Sequence, residues 1–175
     1  MTKGKKKEKM HSLLNELLID SSRSDRELGK IIGVSQPTIS RTKKILVKKG
    51  VIQGFSAIPN FFQIGYELMA LTFVKIKTNL SSIEERKKGH NIVIEWMNKQ
   101  NNVVFASYCR GCDSDGLMIS FHPNYKDFDH FIQKHNRELG YLLIDVKSAL
   151  VNLDNDQIIK AFNFKHLAEK SRCTE

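Results

Sequence analysis

The sequence is poor in cysteine and proline, with three of each among 175 residues. Three cysteines are too few, and odd in number, for the disulfide framework of a secreted domain of this size. No apolar run approaches the ~20 residues of a membrane-spanning helix, and the lysine run near the start lacks the apolar core of a signal peptide. We therefore expect a cytoplasmic protein without a membrane partner.

Sequence motifs of common enzymes are also missing. There is no Walker loop, no GxGxxG and no GxSxG, so phosphoryl transfer, hydride transfer and serine hydrolysis have no support. The spacing of His122, His130 and His135 fits neither HExxH nor a zinc-finger pattern, so we expect surface or packing histidines. The sequence thus predicts a protein that is not an enzyme and carries no cofactor.

Positive charge is concentrated in the first third of the chain. Residues 1–60 hold 13 Lys+Arg and 5 Asp+Glu, a net charge of +8, whereas residues 61–175 hold 15 and 14, a net charge of +1. With 41% hydrophobic residues overall, the chain has enough apolar content for folded domains. The asymmetry indicates a polyanionic partner for the first third, either a nucleic acid or an anionic membrane surface.

A basic arm precedes the first helix. Thr2 to Lys9 contains five lysines, and we expect it to be mobile, either as a solubilising tail or as an arm that contacts DNA phosphates or the minor groove. The leucines between Leu13 and Leu18 then form the apolar stripe of a helix of about ten residues, which ends at the polar cluster after Asp20.

Two more helices and a hairpin complete this region. Ser24 and Glu27 have capping-box spacing and start a second helix that ends at Gly33. Ser35 starts a third helix, with Pro37 in its first turn, that we expect to run to Gly50. Val51 to Pro59 predicts a short hairpin, so that the whole reads as a winged helix-turn-helix (HTH).

The third helix carries the candidate DNA-binding residues. Ile39, Thr42 and Leu46 form its predicted inner side, which leaves polar side chains facing outward. Glutamine and arginine have the donor geometry for base edges, hydroxyls suit bases or phosphates, and lysines suit phosphates. The predicted DNA-binding residues are Ser35, Gln36, Thr38, Ser40, Arg41, Lys44 and Lys48.

From Glu67 the apolar pattern changes to a period of two. The predicted order is strand, helix, strand, strand, helix, strand, which is the ferredoxin-like βαββαβ plan with both helices on one face of the sheet. The fold class is therefore α+β. The other sheet face still carries Met69, Leu71 and Phe73, so we expect it to pack against a second protomer. An RNA-binding ferredoxin-like domain is an alternative, but the strands lack paired exposed aromatic residues.

Cys109 and Cys112 form a CxxC at a predicted turn between two strands. The pair could be a redox disulfide or half of a metal site, which gives an alternative function as a redox- or metal-sensing regulator. The plainer interpretation is two structural cysteines at a strand end. Asp113 and Asp115 in the same turn would ordinarily be turn formers.

The stretch from Leu14 to Pro59 resembles the HTH of the Lrp/AsnC (feast/famine) transcription regulators of bacteria and archaea, and the element order after Glu67 resembles their effector-binding domain. The resemblance implies a regulator that acts as a dimer or higher even-numbered oligomer and binds a small molecule such as an amino acid. Gly111 with Asp113 or Asp115 is similar to the family's Gly-x-x-Asp effector turn. The matching HTH positions are Asp20, Arg23, Ser24, Glu27-Leu28, Gly33-Val34-Ser35, Arg41, Leu46 and Gly50-Val51-Ile52.

These observations predict four segments. Residues 1–60 form the DNA-binding domain with its arm, 61–66 a linker, 67–153 the ferredoxin-like dimerisation and effector-binding domain, and 154–175 a C-terminal tail. The predicted function is sequence-specific DNA-binding regulation of transcription.

Overall fold

The chain folds into two compact units. A computed structural model describes residues 3–77 and 83–170. The first unit contains residues 3–58 together with residues 161–170, and the second contains Pro59–Lys160. Residues 161–170 thus differ from the predicted separate tail, because α6 (Lys165–Lys170) packs against α1 (Lys3–Ile19) and buries Ala168.

The first unit is a cluster of helices whose ends follow local capping chemistry. α2 (Asp25–Ile32) and α3 (Gln36–Lys48) follow α1. The Ser24 side chain accepts a hydrogen bond from the Glu27 N–H while the Glu27 carboxylate accepts one from the Ser24 N–H, which confirms the capping box. Gly33 ends α2 in the left-handed conformation, with φ 71° and ψ 41°.

An apolar core joins α1, α2 and α3. Leu28, Ile39 and Leu46 are no more than 2% exposed, and Leu13 and Leu17 of α1 pack against them. Fully burying one such side chain contributes about 1.5–3 kcal/mol, which is enough to hold three short helices that would not be stable alone.

Two predictions for the first unit are wrong. α1 begins at Lys3 and continues through the predicted mobile arm, since lysine is a good helix former and extending an existing helix costs little. The hairpin over residues 51–59 is absent. Val51 and Ile52 instead donate their N–H groups to the Leu46 carbonyl and form the C-terminal cap of α3 around Gly50, which has a φ of 67°.

The second unit is a four-stranded antiparallel sheet with two helices. Its elements are β1 (Leu68–Ile76), α4 (Ile83–Asn98), β2 (Val103–Gly111), β3 (Ser114–His122), α5 (Tyr125–Leu139) and β4 (Leu143–Asn152). The strand order is β2-β3-β1-β4, which is the ferredoxin-like arrangement expected from the element order. A 3₁₀ turn at Gly140–Leu142 leads into β4, and a second covers Asn155–Gln157.

One face of the sheet packs against the helices. Met118 of β3 lies in a core with Trp96 of α4 and with Phe131 and Leu139 of α5. The predicted cap of the first of these helices, at Ser81 or Ser82, lies outside the described residues. Ile92-Val93-Ile94, whose pattern would also suit a strand, is part of α4.

The other face of the sheet is apolar and lies opposite the face that packs on α4 and α5. The register places Leu71 of β1 opposite Ile119 of β3, and Met69 opposite Val151 of β4. Phe121 on this face is covered by the Phe61 ring, with centroids 4.2 Å apart. Among the residues that the structure describes, none of the helices combines the length and apolar character that a membrane crossing needs.

Candidate nucleic-acid interface

The turn between α2 and α3 fixes the geometry of the helix pair. Gly33 and Val34 both donate N–H hydrogen bonds to the Gly29 carbonyl, so α2 ends in a tight cap before α3 starts at Gln36. A Cβ atom on Gly29 would lie 2.7 Å from the Val34 carbonyl oxygen, which shows how closely the turn approaches α2. The short turn sets α3 as the second helix of an HTH, the helix that such motifs place in the major groove.

α3 buries one side and presents the other to solvent. Ile39 and Leu46 face the core, and Arg41, Lys44 and Lys48 follow each other at i, i+3 and i+7 on the exposed side. Ser35, Gln36 and Thr38 are also exposed, and Ser40 is half-buried. Of the seven residues predicted to bind DNA, six are therefore exposed at the start of α3 or along it, and Ser40 is partly exposed.

Charge on this helix is uniformly positive. α3 contains no Asp or Glu. Lys43, which lies toward the inner side, forms an ion pair with Asp25 of α2, with Nζ and Oδ1 2.6 Å apart. This pair neutralises the one lysine of α3 that faces α2, and the outward cations keep the net positive charge that attracts phosphates.

Hydroxyl groups at the start of α3 bond to each other. Ser35 occupies the N-cap position but makes no side-chain cap hydrogen bond. Its Oγ lies 2.9 Å from Thr38 Oγ1 instead. The Thr38 and Ile39 N–H groups donate to the Ser35 carbonyl, so the backbone of Ser35 starts α3 and its side chain does not.

Two exposed cations of α2 belong to the same surface, and our sequence reasoning missed them. Arg26 and Lys30 line a cleft of about 480 Å³ together with Gly33, Ser35 and Gln36 of the turn. Their i, i+4 spacing on the polar side of α2 is the sequence signal that could have identified them.

The β2–β3 turn is tighter than the sequence predicts. Cys112 and Asp113 form its two-residue tip and both have a φ of 52°, and Gly111 has a φ of 128°. Positive φ at two central residues is the geometry of a type I′ hairpin turn, in which a cysteine is strained.

The acidic side chains of this turn are held by β1. Lys75 Nζ lies 2.8 Å from Asp113 Oδ1, and the hydrogen bond from this ammonium lowers the pKa of the Asp113 carboxyl. Asp115 Oδ2 accepts a hydrogen bond from the Ile76 N–H at 3.0 Å. Gly111 is thus the last residue of β2, Asp113 lies at the tip, and Asp115 is the second residue of β3 instead of part of a longer turn. Both carboxylates are already bonded within the chain.

Within residues 3–77 and 83–170, the structure has no group of three or more metal-ligating side chains. Cys109 is a half-buried free thiol and Cys112 an exposed one. The CxxC pair therefore has no further ligand nearby in the described part of the chain.

A buried polar chain joins β3 to α5. His122, with no exposed surface, has Nε2 2.8 Å from Ser120 Oγ and Nδ1 3.1 Å from Asp127 Oδ2. Burial lowers the pKa of His122. The order of the three groups is that of a hydrolase triad, but solvent does not reach the Ser120 hydroxyl, so the chain packs the helix against the sheet. His135 is buried like His122, whereas His130 is exposed.

Comparison with known proteins found relatives among transcription regulators. No protein-family model matches this chain. An uncharacterized HTH-type transcriptional regulator of Pyrococcus abyssi is 31% identical over 133 residues, 76% of this chain and 80% of the relative. The leucine-responsive regulatory protein of Rhizobium meliloti is 33% identical over 90 residues, 49% of this chain and 58% of that protein. A match to an uncharacterized HTH-type regulator of Pyrococcus furiosus, 37% identical over 60 residues, spans 34% of this chain and 40% of the relative.

Solved structures share the fold. A transcriptional regulator of Neisseria meningitidis, in complex with L-methionine, superimposes with a TM-score of 0.70 at 19% identity, over 91% of this chain and 97% of that one. AsnC of Escherichia coli superimposes with a TM-score of 0.64 at 16% identity, over 89% of this chain and 96% of that one. An AsnC family regulator of Agrobacterium tumefaciens gives 0.68 at 22% identity, over 92% of this chain and 94% of that one.

Proposed function

Because this chain belongs to the Lrp/AsnC family of transcription regulators, we propose that it binds specific DNA sites as a dimer or higher even-numbered oligomer and is not an enzyme. We place it in the cytoplasm, where a bacterial or archaeal regulator meets its DNA. The observation that carries the proposal is the exposed side of α3. It presents the cations Arg41, Lys44 and Lys48 and no carboxylate, and it follows a tight turn in which Gly33 is left-handed.

The residues of α3 divide into two roles. Gln36 and Arg41 would read base edges in the major groove, since an amide can pair with adenine and a guanidinium with guanine. Ser35, Thr38 and Ser40 would contact bases or phosphates. Lys44 and Lys48 would bind phosphates and supply affinity without sequence preference.

Arg26 and Lys30 of α2 extend the phosphate contacts across the cleft beside the turn. In an HTH the first helix crosses the DNA backbone while the second enters the groove. Two exposed cations on α2 suit that position, and we add them to the proposed interface.

The apolar sheet face supports assembly of two copies. It carries Met69, Leu71, Phe73, Leu117 and Ile119, which the register brings side by side on β1 and β3. Exposed apolar faces of this kind mark interaction surfaces, and a second copy offers the same self-complementary face. A dimer would present two HTH units to successive major grooves, with half-sites about 10 bp or a multiple apart.

The primary experiment is selection of bound duplexes from a random pool at about 0.15 M salt. We expect a pseudo-palindrome with half-sites one or two helical turns apart. Arg41→Ala should relax the selected sequence at one position of each half-site, at a cost of about 1–3 kcal/mol on the best site. Arg137→Ala, an exposed arginine of α5, is the matched control and should leave the selected motif unchanged. A pool without an enriched motif, or equal loss by Arg41→Ala on specific and random DNA, would contradict base reading.

A single charged substitution on the apolar sheet face tests whether this face holds two copies together. Val151 is 38% exposed and lies opposite Met69, so Val151→Asp should not disturb the core but should place a carboxylate in the contact between copies. We expect sedimentation to show a shift toward monomers. Tyr141→Asp, an exposed position in the 3₁₀ turn, is the control. Unchanged assembly of Val151→Asp would assign the contact to another surface.

An amino acid is the effector that we propose for the β2–β3 turn. The Neisseria relative was solved with L-methionine, which supports this ligand class. An amino acid's ammonium would have to compete with Lys75 for Asp113, so Asp113→Asn should abolish binding in calorimetric titrations with the standard amino acids. Asp145→Asn, another exposed carboxylate paired to a lysine, is the control. No heat with any amino acid would contradict this part of the proposal alone.

A further inference from the structure

A second cavity lies between the sheet and its helices. It has a volume of about 830 Å³ and is lined by residues of α4 and α5, of all four strands and of the 3₁₀ turn before β4. Cavities of about 300–1,000 Å³ are typical of sites for small molecules.

Small residues on facing elements create this space. Gly89 of α4, Ala106 of β2 and Gly116 of β3 line the cavity. At Gly116 the Val74 side chain packs directly on the backbone, since a Cβ there would lie 2.8 Å from Val74 Cγ2. The C-terminal half of α4 is anchored, since Trp96 packs in the core and its Nε1 donates to Glu138 Oε2 at 2.6 Å.

The walls are mostly aliphatic, and the charged side chain among the described lining residues is a lysine. Val74, Val93 and Met97 contribute apolar surface. Lys77 lines the cavity, and its ammonium donates a hydrogen bond to the Tyr141 carbonyl at 3.0 Å. An ammonium has three hydrogens, so it can bind a further acceptor while it keeps this bond. None of the described residues that line the cavity is acidic.

A hydrogen-bonded pair lies on the same wall. His90 Nδ1 of α4 is 2.6 Å from the Tyr108 hydroxyl of β2, and the two rings stack with centroids 5.8 Å apart. Tyr108 also lines the cavity and is 65% exposed. The pair bridges α4 and β2 and adds polar groups to the lining.

We propose that this cavity binds a small molecule with an apolar body and one anionic head group, such as a carboxylic acid with an alkyl or aryl chain. The apolar body would fill the space beside Val93, Met97 and Ala106. The carboxylate would bind Lys77, because a single cation with no acid in the described lining favours an anion over a neutral or cationic head. The inference depends on the cavity alone and is independent of the proposed DNA binding.

The test compares three probes with the same chain and different heads: octanoate, octan-1-ol and octylamine. Trp96 is the single tryptophan of the sequence, and its ring lies 5.2 Å from that of His135, which lines the cavity. We therefore expect its emission to change through His135 when the cavity is occupied. We expect saturable titration with octanoate, weaker binding of octan-1-ol, and octylamine about tenfold weaker than octanoate.

Three variants assign the response to the cavity. Ala106→Leu fills the space and should weaken octanoate about tenfold or more. Ala57→Leu, the same substitution at an exposed alanine of the first unit, should leave the affinity unchanged. Lys77→Met should remove the preference for octanoate over octan-1-ol. Overturning results are a response that does not saturate below ~1 mM octanoate, equal effects of the two leucine variants, or equal affinity for octanoate and octylamine.

Discussion

The substitution Gly33→Ala adds a single Cβ atom and so tests the backbone conformation of the HTH turn. It ends α2 with φ 71° and ψ 41°, and a Cβ there would meet no atom within 4 Å. The cost of Gly33→Ala is therefore conformational and not steric crowding by neighbours. A left-handed conformation costs an ordinary L-residue roughly 1–2 kcal/mol, and the stiffer unfolded chain of alanine returns about 0.4–1 kcal/mol. We expect a net loss of about 1 kcal/mol in the free energy of unfolding.

The assay is urea denaturation followed by circular dichroism, which reports the helices. Gly33→Asn serves as the comparison, because asparagine tolerates the left-handed region better than alanine does. The expected order of stability is glycine, asparagine, alanine. Gly140→Ala is the matched control, since Gly140 has an ordinary helical φ of −58° and open space around it. An alanine variant at position 33 as stable as the parent, or more stable than the asparagine variant, would refute the reasoning.

Three further outcomes follow from the described contacts. Burial lowers the pKa of His122 below the unfolded value of ~6.5, so its contribution to stability should be complete above that pH. Below it, the free energy of unfolding should fall by up to ~1.4 kcal/mol per pH unit. His122→Gln should flatten this slope in denaturation curves between pH 7.5 and 5.5, and an unchanged slope would contradict the prediction. Ser24→Ala, which removes a cap hydrogen bond, should cost about 1 kcal/mol of stability, whereas Ser35→Ala, whose side chain makes none, should cost less; equal losses would be inconsistent with this difference. Lys44→Gln and Lys48→Gln should each lower the slope of log affinity for DNA against log salt by about 0.9, and unchanged slopes would remove both lysines from the phosphate contacts.

Features that depend on neighbouring residues were predictable from the sequence. The capping box at Ser24 and the glycine end of α2 at Gly33 follow from side chains within a few residues of each other. The period of two over β1 predicted the strand, and the structure shows the same alternation, with buried and half-buried residues taking turns at its start. The exposed set on α3 followed in the same way from helical periodicity.

Features that depend on distant contacts were not predictable. Lys43 lies toward the inner side because Asp25, 18 residues earlier, neutralises it. Val51 and Ile52 read as a strand but cap α3, since the Leu46 carbonyl and the core were available to them. The packing of α6 on α1 joins the two ends of the described chain, and neither sequence pattern points to the other.

Because residues 161–170 return to the first unit, the second unit is an insertion within the first in chain order. Two covalent connections therefore join the units, one near residue 58 and one near residue 160. When one connection joins two domains, truncation of the chain at that connection removes the second domain and leaves the first complete. Here truncation near residue 58 or residue 160 would also remove residues 161–170, which belong to the first unit. A minimal version of the DNA-binding unit should thus be made by splicing residue 58 to residue 161 through a short flexible linker, and not by simple truncation.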